Sequence, residues 1–293
     1  MTAPYVGRFA PSPSGRLHLG SLTTAVASYL EARQRQGRWL LRIEDLDVTR
    51  VVPGASDQLV ATLARHGFEW DGEILHQSRR QPLYEAAVER LHAAGLIYPC
   101  SCSRRMLREH DADSGCPGTC RDGAHGPPPH AWRLRIDQHA VESFEDRLRG
   151  RCEQPLAPLG DPIVRRRDGV ISYQLAVVVD DADSGVTDVV RGDDLLPSTA
   201  WQRSLQRALG LPAPRYCHLP LVVDADGQKL SKSLHAVPLD GNEAGLWLWR
   251  ALTLLRQQPP ESLRTASLAT IWQWAIANWQ RSRLEWVRCL PDC

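Results

Sequence analysis

The first hundred residues alternate short apolar runs with amphipathic ones. Tyr5 to Phe9 has strand length and is followed by the turn-forming APSPSG. From Leu19 to about Gln36, Leu19, Leu22, Val26 and Tyr29/Leu30 recur on one helical face. Trp39 to Ile43 is the next apolar run and closes on the acidic cluster Glu44-Asp45-Leu46-Asp47. Strand, helix and strand at this spacing predict a βαβ unit with parallel strands. Two more helices are expected, one starting near Ser56 with Leu59 and Leu63 inward, the other over Gln81 to Ala94 with Tyr84, Val88 and Leu91 inward.

Periodicity then stops. Residues 99 to 130 are rich in cysteine, glycine and proline and end in GPPPH, a loop-dominated stretch with little core of its own unless a metal supports it. Patterning resumes at Ala131 to Ile136. ISYQLAVVVDD reads as a long strand-like run, VTDVVRGDDLL follows it, a helix is expected from about Ser198 to Leu209, and HLPLVV (218 to 223) reads as one buried strand. These elements predict an α/β architecture whose ligand site lies beyond the carboxyl ends of the strands. The tail from Gly241 reads as helical and holds six of the ten tryptophans, Trp247, Trp249, Trp272, Trp274, Trp279 and Trp286, all expected to be core.

Composition narrows the class without naming the chemistry. The 43% hydrophobic and 24% charged content is that of a globular protein long enough for a sizeable core. No apolar stretch reaches about 18 residues, and the N-terminus lacks the basic-then-apolar order of a secretory signal, so a cytoplasmic protein is expected. A net charge of +1 neither supports nor excludes a polyanionic partner; basic surface would have to come from patches such as Arg165-Arg166-Arg167 or Arg147 to Arg151.

Three stretches carry candidate chemistry. PSPSGRLHLGS leaves a strand and enters a helix, so its backbone N–H groups and the helix N-terminus can face a phosphate; Gly15 and Gly20 allow close approach, and His18 adds a donor. DADGQKLSKS holds Lys229 and Lys232, the only lysines among 35 basic side chains. An ammonium is a compact charge on a flexible stem, suited to following a departing polyphosphate, where a guanidinium favours one fixed bidentate geometry. Cys100, Cys102, Cys116 and Cys120, spaced C-x-C-x13-C-x3-C, can supply four thiolates to a tetrahedral structural zinc; the alternative is reduced, partly buried cysteines. His110, His125 and His130 are substitute ligands.

RFAPSPSGRLHLGS, RIEDLD and KLSKS, in this order, resemble the class I aminoacyl-tRNA synthetases, and within them the glutamyl subgroup. His18-Leu19-Gly20-Ser21 stands for the HIGH-type motif, with Ser21 in place of its final histidine, and Lys229-Leu230-Ser231-Lys232-Ser233 for the KMSKS-type loop. The resemblance implies a Rossmann-type catalytic domain over 1–98 and 165–240, an inserted acceptor-like zinc-binding segment over 99–164 and a short helical, stem-contact-like tail over 241–293. It implies ATP binding by Pro11, Ser12, Gly15, His18, Gly20, Ser21 and Lys232, with His18, Lys229 and Lys232 catalytic and Mg²⁺ accompanying ATP. It further implies that Arg8, Phe9, Ala10, Pro11 and Ser12 cradle a glutamate, Glu44 takes its amino group, and Tyr173 and Arg191 complete the pocket. Arginines for two carboxylates and a carboxylate for one ammonium agree with that substrate. In similar chains a tyrosine stands where this one has Cys116.

The chain continues for only 60 residues past Ser233, too few for the anticodon-binding domain of a usual glutamyl enzyme. Motifs, cysteine cluster and shortness together resemble the glutamyl-queuosine tRNA(Asp) synthetases, which activate L-glutamate with ATP without tRNA and transfer it to queuosine at the wobble position of tRNA(Asp). The resemblance covers residues 4 to 240 well and the tail loosely. It implies ATP, L-glutamate and the anticodon loop of that tRNA as partners of a monomer. Competing readings are a truncated glutamyl-tRNA synthetase charging a tRNA 3′ end, a non-catalytic RNA- or partner-binding paralogue, and a nucleotidyltransferase acting on another small acid.

Overall fold

A computed structural model describes residues 4–109, 115–224, 239 and 243–291. The expected βαβ unit is present. β1 (Val6–Phe9) runs into α1 (Leu19–Arg33), and β2 (Arg38–Ile43) returns parallel to β1, with Val6 opposite Arg38 and Phe9 opposite Leu41. α2 (Ala55–Arg65) leads to β3 (Leu75–His76), which extends this sheet in parallel, and α3 (Gln81–Ala93) follows. β4 (Ile97–Cys100), α4 (Arg104–Glu109) and β5 (Ala131–Leu134) frame the cysteine-rich stretch. β6 (Val141–Asp146) and β7 (Gly150–Pro155) form an antiparallel hairpin, and β8 (Ile163–Arg165) completes a small antiparallel sheet in the order β4-β5-β8.

The strand expected over ISYQLAVVVDD is a helix, α5 (Tyr173–Asp183). Ser172 caps it, its hydroxyl accepting the Leu175 N–H at 3.3 Å. α5 is buried on nearly every side, so its apolar run shows no 3.6-residue break, and three consecutive valines imitate a buried strand. β9 (Asp188–Gly192), α6 (Leu196–Leu209) and β10 (Arg215–Leu219) then build a second parallel set, with β10 between β9 and β6. The two sets abut where Thr187 N–H donates to Val6 O and Thr187 Oγ1 accepts Val6 N–H, both at 2.9 Å. The β3-β2-β1 and β9-β10-β6-β7 sheets thus lie edge to edge, and the 141–155 hairpin edges the second of them.

HLPLVV is not one strand. Pro220 has no N–H to continue the ladder, and β11 (Leu221–Val223) turns away from β10. Its partner comes from the tail, which is not wholly helical: after α7 (Ala244–Leu254) and α8 (Leu268–Asn278), β12 (Cys289–Pro291) pairs parallel with β11. Nor are all the tail tryptophans core. Trp247, Trp272 and Trp279 are buried, whereas Trp286 is 82% exposed. Among the described residues no helix is long and apolar enough to cross a membrane.

The tail is fused to the first βαβ unit rather than appended to it. Trp272 packs on Phe68 (4.9 Å between ring centroids) and on Tyr29 (4.8 Å), which meet Trp39 of β2. Beneath this aromatic cluster, Glu31 of α1 is 1% exposed. It accepts from Trp279 Nε1 at 2.8 Å and pairs with Arg35 (2.9 Å), Arg281 (3.1 Å) and Arg147 (3.4 Å). One buried carboxylate thus joins α1, the loop after β6 and the tail; its loss would take the carboxylate partner from Arg35 and Arg281, while Arg147 would keep Asp188 at 3.0 Å. Glu31→Gln is expected to cost about 2 kcal/mol, a fall of about 5 °C in melting temperature. A thermal melt within a degree of wild type would show that the arginines find other partners.

Candidate active site

The carboxyl ends of β1, β2, β9 and β10 open onto a cleft of about 900 Å³. Every described residue to which the sequence assigns ATP or amino-acid binding lines it: Arg8, Phe9, Ala10, Pro11, Ser12, Gly15, His18, Gly20, Ser21, Glu44, Tyr173 and Arg191. Lys229 and Lys232 lie outside the described residues. The chain reaches them from the cleft wall, because Leu221 and Val222 of β11 line the cleft just before Asp224.

On one side lies the Pro/Ser/Gly loop. It is pinned to the acidic segment after β2, Glu44 N–H donating to Pro11 O at 3.0 Å and Val52 N–H to Pro13 O at 2.9 Å. His18 is the N-cap of α1. Its Nδ1 accepts the Ser21 N–H at 3.3 Å and its Nε2 lies 2.9 Å from Ser21 Oγ, an arrangement that suits a neutral imidazole with the proton on Nε2. Ser21, at the position of the usual second histidine, is therefore His18's partner and orients it. A Cβ at Gly20 would sit 3.2 Å from the His18 ring, so the glycine leaves the ring its place.

The other side is charged and dry. Arg42 NH1 bonds Asp181 Oδ1 at 2.6 Å, NH2 meets Glu44 at 3.3 Å, and Nε stands 3.9 Å from Asp180. Arg8 approaches Asp181 at 3.4 Å and donates to Val190 O at 3.1 Å. Asp180 also accepts from Arg80, Gln77 and Tyr84. Burial raises the Glu44 carboxyl above the usual carboxylate range against the pull of Arg42 and Arg8, and burial, with Glu44 beside it, raises the Tyr173 phenol. Arg191 differs from its neighbours: its described partners are the neutral His218, Gln202, Thr199 and Leu195 O.

Sequence reasoning missed Arg42, Asp180, Asp181 and His218. Two adjacent aspartates ending an apolar run, and a histidine inside another, were the available signals, since buried ionisable groups are rare without a partner.

The cysteines meet some way from the cleft. The Sγ atoms of Cys100, Cys102 and Cys120 all lie within 4.8 Å of one another, so the three can hold a metal ion. Cys102 stands 3.5 Å from Cys120 and 3.8 Å from Cys116. Metal–sulfur bonds of about 2.3 Å in a tetrahedron place sulfurs about 3.8 Å apart, so these separations fit such an ion. The Cys100–Cys116 hydrogen bond holds the Cys116 thiol down and pushes Cys100 up. Buried Asp161 anchors the segment, accepting from Tyr98 (2.6 Å), Arg121 (2.7 and 2.5 Å) and Ile136 N–H (3.1 Å). Among the described residues, neither His125 nor His130 joins the thiols; His110 is outside them.

A family model described as tRNA synthetases class I (E and Q), catalytic domain, matches residues 5–241. A glutamyl-Q tRNA(Asp) synthetase of Aromatoleum aromaticum is 52% identical over 94% of this chain and 89% of its own length. The protein of that name in Pseudomonas aeruginosa PAO1 is 50% identical over 100% of this chain and 99% of its own length. The chain belongs to the glutamyl-Q tRNA(Asp) synthetase branch of the class I synthetases. Among solved structures, a glutamate tRNA ligase from Elizabethkingia meningosepticum, in complex with its amino acid, superposes with a TM-score of 0.79 at 22% identity, covering 98% of this chain and 67% of that one. A glutamate-tRNA synthetase from Elizabethkingia anophelis gives 0.81 at 23%, covering 99% and 68%. At these identities the two share the fold with this chain, and each extends well beyond it.

Elemental analysis of the purified chain is expected to find about one thiophilic metal ion per molecule. Cys102→Ser should lower that content severalfold. A variant that keeps the full complement would remove Cys102 from the ligand set.

Proposed function

We propose that this chain activates L-glutamate with ATP, without requiring tRNA, and transfers the glutamyl group to queuosine at the wobble position of tRNA(Asp). The observation that carries the reading is the charge pattern of the cleft. It offers two buried arginines, Arg8 and Arg191, and one partly buried carboxylate, Glu44, around Tyr173, facing a loop that leads into a helix N-terminus. A ligand with two carboxylates and one ammonium complements that set. Identity of about 50% along the whole chain to proteins named for this activity supports the same substrate.

In the first step a glutamate α-carboxylate oxygen attacks the α-phosphorus of ATP, the bond to the bridging oxygen of pyrophosphate breaks, and glutamyl-adenylate forms. The backbone amides at the start of α1 and His18, held by Ser21, position the phosphates. Lys232, assisted by Lys229, offsets the charge growing on pyrophosphate. Mg²⁺ accompanying ATP would offset part of the phosphate charge. In the second step a queuosine ring hydroxyl attacks the acyl carbon, AMP leaves, and the hydroxyl proton passes to solvent. Cys100, Cys102 and Cys120, with Cys116 beside them, would hold a structural zinc, which would stiffen the segment anchored on Asp161. An unpaired loop base is, like the single-stranded 3′ end, a part of a folded tRNA that can enter such a cleft. The reading places the enzyme in the cytoplasm, where tRNA is modified.

Glutamate-dependent ATP–pyrophosphate exchange in the absence of tRNA is the expected result, together with labelling of queuosine-containing tRNA(Asp) but not of the same tRNA carrying guanosine at the wobble. No exchange would sink the activation step; equal labelling of both tRNAs would move the acceptor to the 3′ end. The KM for glutamate should also rise as the pH is lowered. Glu44, with its raised pKa, takes up a proton earlier than an ordinary carboxylate, and the neutral acid cannot hold an ammonium. Glu44→Gln should raise KM roughly tenfold or more and flatten that pH dependence. An unchanged profile would separate Glu44 from the amino group.

A further inference from the structure

Arg191 is 4% exposed, and a guanidinium that deep normally sits against a carboxylate. Its contacts are instead neutral: Nε–H to His218 Nε2 at 3.0 Å, NH1 to Gln202 Oε1 at 2.7 Å, and NH2 to Thr199 Oγ1 at 2.8 Å and Leu195 O at 3.3 Å. Its plane also lies over the Tyr216 ring, 5.2 Å from the centroid. No carboxylate among the described residues is within ion-pair distance of it. The charge is oriented by neutral groups, and the carboxylate that acts on it from a distance, Asp181, is engaged by Arg42 and Arg8.

Behind Arg191 stands a buried dyad. Asp146 Oδ2 lies 2.7 Å from His218 Nδ1 and 3.1 Å from the His218 N–H, while Asp146 Oδ1 accepts the N–H groups of Leu148 (2.9 Å) and Arg149 (3.0 Å). The carboxylate is locked by the turn after β6, so the ring must present Nδ1–H to it. The proton is then absent from Nε2, and the lone pair there is what Arg191 Nε–H requires. An imidazolium would point N–H at N–H. Consistently, burial first and Arg191 second hold the His218 imidazole below its usual range, so it stays neutral.

We infer that Asp146 and His218 are positioning residues that aim the Arg191 fork into the cleft without neutralising it, so that the site selects a ligand carboxylate over the matching carboxamide. This rests on the glutamate reading above. A carboxylate in place of any neutral partner would hold the arginine equally well but would satisfy its charge from within. The arrangement therefore separates orientation from neutralisation and leaves the second to the substrate.

Two variants of His218 divide its two bonds. His218→Asn places an amide N–H near the Nδ1 position and keeps the Asp146 contact, but loses the acceptor facing Arg191. His218→Gln reaches that acceptor position and gives up the Asp146 bond. In glutamate-dependent ATP–pyrophosphate exchange, Asn should raise the glutamate KM roughly tenfold or more, with KM for ATP within about twofold of wild type, and Gln should recover much of the loss. The reverse order, or equal values, would make His218 merely a support for Asp146 and overturn the relay. Where His218→Asn does not fold, Gln202→Glu serves, since it neutralises Arg191 from within. It should raise the glutamate KM and narrow the preference for glutamate over glutamine, and an undiminished preference would also overturn the inference. Wild-type chain showing no glutamate-dependent exchange would overturn the activity itself, an outcome distinct from altered KM ratios among variants.

Discussion

Arg42 and the carboxylates around it fix everything else in the site. Its guanidinium ties β2 to α5 through Asp181 and Asp180 and turns Glu44 toward the cleft, while Asp181 also reaches Arg8 on β1. Each of these charges is costly to remove from water alone, and together they are affordable only in one geometry. The positions of the strand ends relative to α5 are therefore set by electrostatics as much as by packing. Asp181 is committed to Arg42 and Arg8, whereas Glu44, held by Arg42, lines the cleft.

The two sides of the cleft work by different physics. The loop before α1 offers backbone amides at a helix N-terminus, with His18 held by the adjacent Ser21 and allowed its place by Gly20. The opposite side offers charged side chains drawn from β1, β2, α5 and β9. A phosphate can be met by amides that any sequence supplies once the turn is right, whereas a zwitterionic amino acid demands particular charges at particular points. The tail strand β12 braces β11, whose Leu221 and Val222 line the cleft.

The cysteine segment and the tail solve the same problem in opposite ways. Residues 99 to 130 have few apolar side chains, and their described part is held by closely packed thiols and by Asp161, which collects donors from Tyr98, Arg121 and Ile136. The tail is rich in tryptophan and docks by area, Trp272 entering the aromatic cluster of α1 and β2 while Glu31 gathers the nearby arginines. Trp286 escapes this packing because it sits in a left-handed turn (φ 63°) between buried Leu284 and Val287, where the chain reverses toward β12.

The sequence by itself determined the first βαβ unit and laid out the candidate motifs. Glycines, serines and His18 before a helix, two lysines in an arginine-rich chain, and thiols at close spacing are local patterns, legible without the fold. The tertiary structure alone decided α5, the break at Pro220, β12 and the partners of Arg42 and Arg191. Total burial erases the periodicity by which a helix is recognised. A buried ion pair such as Arg42–Asp181, or a relay from Asp146 through His218 to Arg191, joins residues separated by 27 to 139 positions and leaves no trace in any local window. The physical reason is that a side chain's charge is compensated in space, and sequence distance carries no record of it.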